Sequence, residues 1–384
     1  MQRNYTQTRQ HQLKQMKRTL LLIIILKFSV NGLSQSVTFQ NYDGFLSIGT
    51  QSNRTASISL VDIDKDGDLD ALIANGRHWA EQNYIYYNDG NGTFNKAQPI
   101  GKFLDASYSM KSADLNNDGI MDIAVVNDKT ENKIYFGIDK YTYDKGISFG
   151  SPNYPSRNLE IIDIDKDGDL DLIISNRKRV NEICLNDGKG SFEQILNFGK
   201  KTDQTIQTKI VDINNDGFSD IITAERKSKN KIFLNDGKNN FEEKIIEFGN
   251  ENGDTRSIDV ADLNNDGFLD ILTGNLGSNI IYFGNKDYSF SKTFLFEKER
   301  LTYSIKITDL NQDGILDIIE GNSEERNYVF IGKNNGKFNE IGLREDLKDD
   351  TYNIEIGDLN KDGFPDIVES NSGSWNLYYR TRKK

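Results

Sequence analysis

Three observations predict an all-β fold, a seven-bladed β-propeller. An aspartate-rich loop recurs seven times, its first aspartates 52, 49, 49, 50, 47 and 49 residues apart. A fixed period of this size marks a propeller or another repeat array. Runs of alternating apolar residues flank every loop. The chain has 32 Gly against 4 Pro, which suits many short strands joined by tight turns better than long helices.

The elements follow in chain order. Lys14, Lys17 and Arg18 precede an apolar run from Leu20 to Leu26, and Gly32-Leu33-Ser34 supplies small residues. This pattern predicts a signal peptide over 1–34 and a propeller domain over 35–384. The run is too short to span a bilayer, so a secreted or periplasmic protein with no membrane span is expected. Cys184 is the only cysteine. It sits in the alternating run Glu182-Ile183-Cys184-Leu185, which predicts a small core residue. An exported protein without a disulfide needs another staple.

The loops offer that staple. The first copy holds Asp62, Asp64, Asp66, Gly67 and Asp70. The second holds Asp114, Asn116, Asp118, Gly119 and Asp122, and the third Asp163, Asp165, Asp167, Gly168 and Asp171. Asp212, Asn214, Asp216, Gly217 and Asp220 form the fourth, and Asp262, Asn264, Asp266, Gly267 and Asp270 the fifth. The sixth is Asp309, Asn311, Asp313, Gly314 and Asp317, and the seventh Asp358, Asn360, Asp362, Gly363 and Asp366. Calcium takes several hard oxygen ligands, and acidic side chains at alternate positions of a tight loop converge on one point. Gly falls where a Cβ would strain the turn. An acid/Gly turn can exist without metal, but seven copies at one spacing predict calcium-binding loops holding up to seven structural Ca²⁺ ions.

Strands are read from the flanks. Ser57-Ile58-Ser59-Leu60-Val61 precedes the first loop. An apolar strand such as Leu170 to Ile174 follows a loop, then a third strand such as Tyr84-Ile85-Tyr86-Tyr87. Turns such as Asn88-Asp89-Gly90, Asn186-Asp187-Gly188 and Asn235-Asp236-Gly237 lead to a fourth strand, opening near Phe94 in the first copy; Asx-Gly is a strong hairpin signal. Four strands in each of seven repeats describe seven blades. The seventh copy ends with its third strand, Trp375 to Arg380. Ser36-Val37-Thr38-Phe39 is expected to supply the missing fourth and to close the ring.

On these loops and strands the chain resembles the FG-GAP/VCBS repeat family, the propeller repeats also found in integrin α-chains. The resemblance covers residues 36–380. It implies the propeller and its calcium, and it does not fix a function.

The calcium loops and Asx-Gly turns share one face of the expected ring, and the loops between second and third strands share the opposite, top face. The formal net charge is −12, and residues 1–34 hold six Lys/Arg and no acid, so the remainder carries −18. Seven divalent ions would bring that to about −4, since bound ions belong in the local charge. The top loops are basic: Arg77-His78, Arg177-Lys178-Arg179, and Arg226-Lys227 with Lys229, although Glu324 and Glu325 lie there too. A basic face on an acidic protein predicts an anionic ligand, such as a saccharide, rather than nucleic acid. Solvated loop charge is the plainer alternative.

Two registers run round the ring. Three residues before each first aspartate stand Ser59, Lys111, Glu160, Lys209, Asp259, Lys306 and Glu355, which predicts a channel lining paired between neighbouring blades. Six residues before it stand Ala56, Tyr108, Arg157, Ile206, Arg256, Tyr303 and Tyr352, near the top mouth. Tyr and Arg there, with Trp79, can stack on a sugar ring and fork onto its carboxylate or sulfate. Aromatic packing between blades accounts equally well for any single Tyr.

The first top loop, from Asn75 to Asn83, carries His78, the only His beyond residue 34. With Arg77 beside it and Tyr108 and Tyr352 on the flanking repeats, it could perform β-elimination next to a carboxylate: a base, a proton donor and an enolate stabiliser. Seven-bladed propellers occur among bacterial polysaccharide lyases, and this chain is similar to them at the level of fold. A lone loop His is also commonly structural. Three functions stay open: a lyase or dehydratase on uronate-containing saccharide, sulfated or not; a non-catalytic glycan-binding or adhesion propeller; and a scaffold for protein partners. No Ser/His/Asp arrangement, cysteine nucleophile or phosphate-binding loop is evident.

Overall fold

A computed structural model describes residues 36–295, 298–344 and 348–384. The signal-peptide reading of 1–34 lies outside the described residues. Within them the chain is all β, with one short 3₁₀ turn at Tyr42–Gly44. No helix there is long and apolar enough to cross a membrane.

The third repeat shows how the sequence makes a blade. Its strands Ser156–Ile162, Asp171–Asn176, Asn181–Leu185 and Gln194–Phe198 form an antiparallel meander. The second strand begins at the loop's ninth-position aspartate, one residue after the expected Leu170. Side chains alternate between faces. Leu159, Leu172, Ile174 and Cys184 pack against Leu115, Ala124 and Ile134 of the preceding repeat. Ile173, Ile183, Leu185 and Phe198 turn the other way, onto Ile221, Phe233 and Phe241 of the next. Each blade is thus a wall of two cores. A fully buried Leu or Ile contributes about 1.5–3 kcal/mol, so the ring is held chiefly by its blade-to-blade seams. Cys184 is a buried core residue, as expected.

Five blades are separate sheets, four of them four-stranded and one five-stranded. The remaining strands, from Thr255 to Gly342, form one eight-stranded sheet where the sequence predicts two separate blades. The cause is local. The second strand Asp270–Gly277 runs eight residues where its counterparts in most repeats run six. Its extension, Leu276 and Gly277, pairs with Leu301 and Arg300 of the next innermost strand. In the second repeat an added two-stranded ribbon, Gly137–Asp139 with Thr142–Tyr143, precedes the fourth strand Ile147–Phe149. In the first, the fourth strand opens at Lys96, two residues after Phe94. The innermost strand of every repeat packs beside that of the next, and Thr351–Gly357 beside Thr55–Val61, so the ring closes. Closure uses the chain's beginning: Val37–Gln40 pairs antiparallel with Asn376–Lys383, Val37 opposite Lys383 and Gln40 opposite Arg380.

Near the top of the blades runs a buried polar belt. The hydroxyl of Thr351 donates to Asn371 Oδ1 at 2.7 Å, and Asn327 Nδ2 of the preceding repeat donates to that hydroxyl at 2.9 Å. Thr55 with Asn75, Ser107 with Asn127 and Thr302 with Asn322 repeat the first bond; Asn83 to Ser107 and Asn279 to Thr302 repeat the second. Buried polar groups joined this way stitch each blade to the next in one register.

Candidate functional site

On the bottom face the seven loops share one conformation. The fourth position takes a left-handed φ in every copy, 57° at Lys65 and 63° at Lys166, and the glycine follows two residues later, at 90° for Gly67. The first aspartate folds the loop on itself: Asp62 accepts from the backbone of Asp66 at 3.0 Å and Gly67 at 2.9 Å. The ninth-position aspartate has a role that the sequence did not reveal. Asp70, fully buried, accepts from the Ile63 amide at 3.2 Å and the Asn88 amide at 2.9 Å, clamping the loop to the end of the third strand. Asp122, Asp171, Asp220, Asp270, Asp317 and Asp366 do the same. Burial pushes the Asp70 carboxyl up to about 7, against the pull of those amides.

In two copies carboxylates converge tightly enough to hold a metal ion. Ligand oxygens of Asp62, Asp64 and Asp70 lie within 4.8 Å of one another, as do those of Asp163, Asp165 and Asp171. Each group contains a buried carboxylate oxygen without a hydrogen-bond donor, Asp64 Oδ1 and Asp163 Oδ1. That is the pattern a cation would satisfy. In the second, fourth, fifth and sixth copies the third position is Asn, whose amide donates to the fifth-position aspartate at 2.8–3.1 Å: Asn116 to Asp118, Asn214 to Asp216, Asn264 to Asp266, Asn311 to Asp313. Asn360 and Asp362 hold the same two positions in the seventh.

The channel register pairs as expected. Lys111 meets Glu160 at 2.5 Å, Lys209 meets Asp259 at 2.6 Å, and Lys306 meets Glu355 at 3.2 Å, with neutral Ser59 in the odd place. Above it a cavity of about 260 Å³ opens at the top. Its lining includes Arg77, His78, Tyr108, Arg157, Arg177, Arg226, Arg256, Tyr303 and Tyr352, and no acidic residue. The first-repeat loop and the register six residues before the aspartates therefore meet in one place. The register one residue further along forms a polar floor, Ser57, Ser109, Asn158, Gln207, Ser257, Ser304 and Asn353. Several of these accept the next blade's amide, as Gln207 does from Ile258 at 2.7 Å.

Two clusters form within the mouth. In the first, His78 Nδ1 lies 2.6 Å from Asp128 Oδ2, and Tyr108 Oη 3.0 Å from His78 Nε2. Arg157, buried, donates to Asp128 Oδ1 at 2.8 Å and lies over the Tyr108 ring at 4.1 Å. Burial pushes the Asp128 carboxyl up, but Arg157 and His78 outweigh it and hold it below its usual value. Burial holds His78 below its usual value in spite of Asp128, and Arg157 and Arg177 add to the lowering. An ionised Asp128 accepts Nδ1–H, which leaves Nε2 to accept from the Tyr108 hydroxyl.

In the second cluster Arg77 lies over the Tyr352 ring at 3.5 Å and donates to Ser372 at 2.9 Å, with Asp350 at 3.6 Å. The Tyr352 ring lies 4.5 Å from that of Tyr303, tilted by 52°, and Arg256 lies 4.8 Å from the Tyr303 ring. Tyr352 and Arg77 therefore engage each other; of the two flanking tyrosines, Tyr108 is the one that bonds His78. Trp79 does not line the cavity: it stands on the rim, 53% exposed, under the Arg54 guanidinium. Sequence reading missed Asp128, which holds in the second repeat the position that Arg177 and Arg226 hold in the third and fourth, and it did not separate Arg177 and Arg226 from the other basic loop residues.

Comparison with solved structures shows a propeller. The BBS1N chain of a complex with ARL6DN, soaked with lead, matches at a TM-score of 0.60 and 12% identity, over 87% of this chain and 96% of that one. An Agrocybe aegerita lectin, described by its specific recognition of non-reducing terminal N-acetylglucosamine, matches at a TM-score of 0.54 and 18% identity, over 77% and 81%. At these identities the likeness is one of fold. No curated protein matches the sequence. The family model for the FG-GAP-like repeat matches residues 62–125, 114–174, 163–223, 212–273 and 309–369, more than half of the chain. The protein belongs to the FG-GAP-like repeat family.

Proposed function

We propose that this is an exported, calcium-loaded, seven-bladed propeller that binds an anionic, uronate-containing saccharide, sulfated or not, in its top cavity. The observation that carries the reading is the lining: five arginines, a histidine and three tyrosines without one acidic residue. Guanidiniums fork onto carboxylates and sulfates, and tyrosine faces take the apolar side of a sugar ring. The fold-level likeness to a saccharide-recognising lectin agrees with this. Seven blades follow when the eight-stranded sheet is counted as two, one for each loop it contains. The converging carboxylates of two loops and their undonated oxygens support the calcium part of the reading. Secretion or export to the periplasm rests on the N-terminal pattern, and fractionation of expressing cells tests it.

One observation favours a catalytic version, a lyase or dehydratase: the chain Asp128–His78–Tyr108. With the proton α to a bound carboxylate facing His78, Nε2 takes that proton and a neighbouring arginine stabilises the enolate-like charge. The bond from the β-carbon to oxygen breaks as the Tyr108 hydroxyl protonates the leaving oxygen. His78 then returns the proton to Tyr108 across their hydrogen bond. The products are an unsaturated uronate and a free hydroxyl group, or water in a dehydration.

Mass spectrometry of uronate-rich oligosaccharides incubated with the calcium-loaded protein, beside His78→Ala, tests both versions. Shorter unsaturated fragments mean a lyase, and loss of one water without cleavage means a dehydratase. Retention of saccharide without turnover leaves the binding version. Absence of both retention and turnover with every anionic saccharide tried removes the proposal.

A further inference from the structure

We infer that the top cavity takes a ligand with two separated anionic groups, one at Arg157 and Arg177 and the other at Arg226 and Arg256. This rests on the saccharide reading and deepens it: the ligand is a dianionic saccharide, either a diuronate or a uronate unit that also carries a sulfate.

The charges around the mouth divide unevenly. Arg77 has its own partner, Asp350, at 3.6 Å, and Tyr352 covers its face. That side is balanced. Arg157 and Arg177 have one carboxylate between them. Asp128 bonds Arg157 at 2.8 Å and shares its other oxygen with His78, whereas Arg177 makes no ion pair among the described residues. Arg226 and Arg256 likewise share one carboxylate, Asp254, at 3.3 and 2.7 Å. His78 is held toward its neutral form and adds no charge. Each arginine pair is therefore left with one uncompensated positive charge.

Guanidinium nitrogens around the mouth are incompletely bonded, Arg77 Nε among them. Arg157 is 5% exposed, and its Nη2 is buried without a hydrogen-bond partner. Arg256 Nε lies 2.7 Å from Asp254 but is not aligned to donate to it, and it too has no partner. A buried guanidinium nitrogen without an acceptor is costly, and at Arg157 a carboxylate or sulfate oxygen would relieve it. The two pairs stand on different blades, Arg157 and Arg177 on the third repeat and Arg226 and Arg256 on the fourth and fifth. Two uncompensated positive charges call for two negative charges on the ligand.

The test is titration calorimetry on the calcium-loaded full chain with three probes: a uronic acid methyl glycoside with one carboxylate, a diuronate, and a uronate disaccharide bearing one sulfate. At least one dianion should bind about tenfold to a hundredfold more tightly than the monoanion, the gain expected of one further charge-assisted hydrogen-bonded contact. Preference between the two dianions identifies the second group. Arg177→Met and Arg226→Met should each reduce dianion affinity toward that of the monoanion, and Arg177→Lys should restore most of it. Equal affinity for monoanion and dianions in the parent protein overturns the inference, as does an unchanged ratio in both methionine variants. If no saccharide binds, the saccharide reading fails separately. The same ratio is then read by NMR with glutarate against butyrate: preference for glutarate sustains the two-anion cavity, and equal binding overturns it.

Discussion

His78 Nδ1 and Asp128 Oδ2 stand 2.6 Å apart, and the same carboxylate holds buried Arg157 through its other oxygen. One acid from the second repeat thus positions a base from the first and a cation from the third. The geometry favours one tautomer as well: Nδ1–H donates to Asp128, and Nε2 faces Tyr108.

This arrangement has a pH signature. The folded pKa of His78 lies below its ordinary 6.5, so as pH falls the unfolded chain binds the proton first. Stability then declines from pH 6.5 downward, because the unfolded state holds more protons in that window. Asp128, held below its ordinary 3.8, stays ionised through it. Urea denaturation at about pH 7.5 and about pH 5 should show the parent losing more stability than His78→Gln. Any turnover or saccharide affinity that depends on neutral His78 should have an acid limb in the same range. Equal pH dependence in parent and variant would show that His78 does not titrate there.

Removing Asp128 strands a charge. Arg157 is almost fully buried and bonds only Asp128 and the Ser156 carbonyl. Asp128→Ala should cost about 3–5 kcal/mol, the range for breaking a buried pair by deleting one partner. Arg157→Met in the same chain should recover part of that loss, since an apolar side chain needs no counter-charge. A double variant as unstable as the sum of the two single ones would mean that Arg157 and Asp128 act independently.

The aspartate-rich loops separate two roles of aspartate. Asp165 joins the converging carboxylates and accepts the Asp167 amide at 3.3 Å, a bond that the Asn at that position keeps in four other repeats. Asp171 also accepts two backbone amides, from Ile164 at 3.0 Å and Asn186 at 2.9 Å. An asparagine there has one acceptor oxygen for two donors. Calcium bound only to the native state stabilises it by about 2.7 kcal/mol at a hundredfold excess over Kd. Chelation should therefore lower the melting temperature of the parent. Asp165→Asn should lower it in calcium and match the parent in EDTA, whereas Asp171→Asn should be destabilised in both. A parent melt indifferent to EDTA contradicts metal in these loops.

The repeat made much of this legible. Because strand side chains alternate and the loops fix the register, the pairs Lys111–Glu160, Lys209–Asp259 and Lys306–Glu355 could be read by counting back from each aspartate. The same counting brought Tyr108, Arg157, Arg256, Tyr303 and Tyr352 to the mouth. What periodicity cannot carry was missed. Counting reaches Asp128, at the position of Arg177 and Arg226, but gives no sign of its importance, which depends on neighbours 50 and 29 residues away. Tyr352 sits as close to His78 in ring order as Tyr108 does, yet a cation-π contact with Arg77 holds it elsewhere. The merging of two blades hangs on two extra residues of one strand, Leu276 and Gly277.

The polar belt contains a buried acid whose charge is a liability. Glu369 is 2% exposed, and burial raises its pKa from 4.5 to about 7, against the donors Asn327 and Tyr379. Between those values the native chain holds a proton that the unfolded chain has released, so this site loses stability as pH rises from 4.5 to about 7. Glu369→Gln keeps an oxygen for Asn327 and carries no charge. The variant should be more stable than the parent above neutral pH, by up to about 2–3 kcal/mol, and the gain should shrink toward about pH 5 as the parent's carboxyl takes up its proton. Urea midpoints at the two pH values check this. A variant less stable than the parent at both would mean that Asn327 and Tyr379 solvate the carboxylate fully, and that the belt is built around a charge.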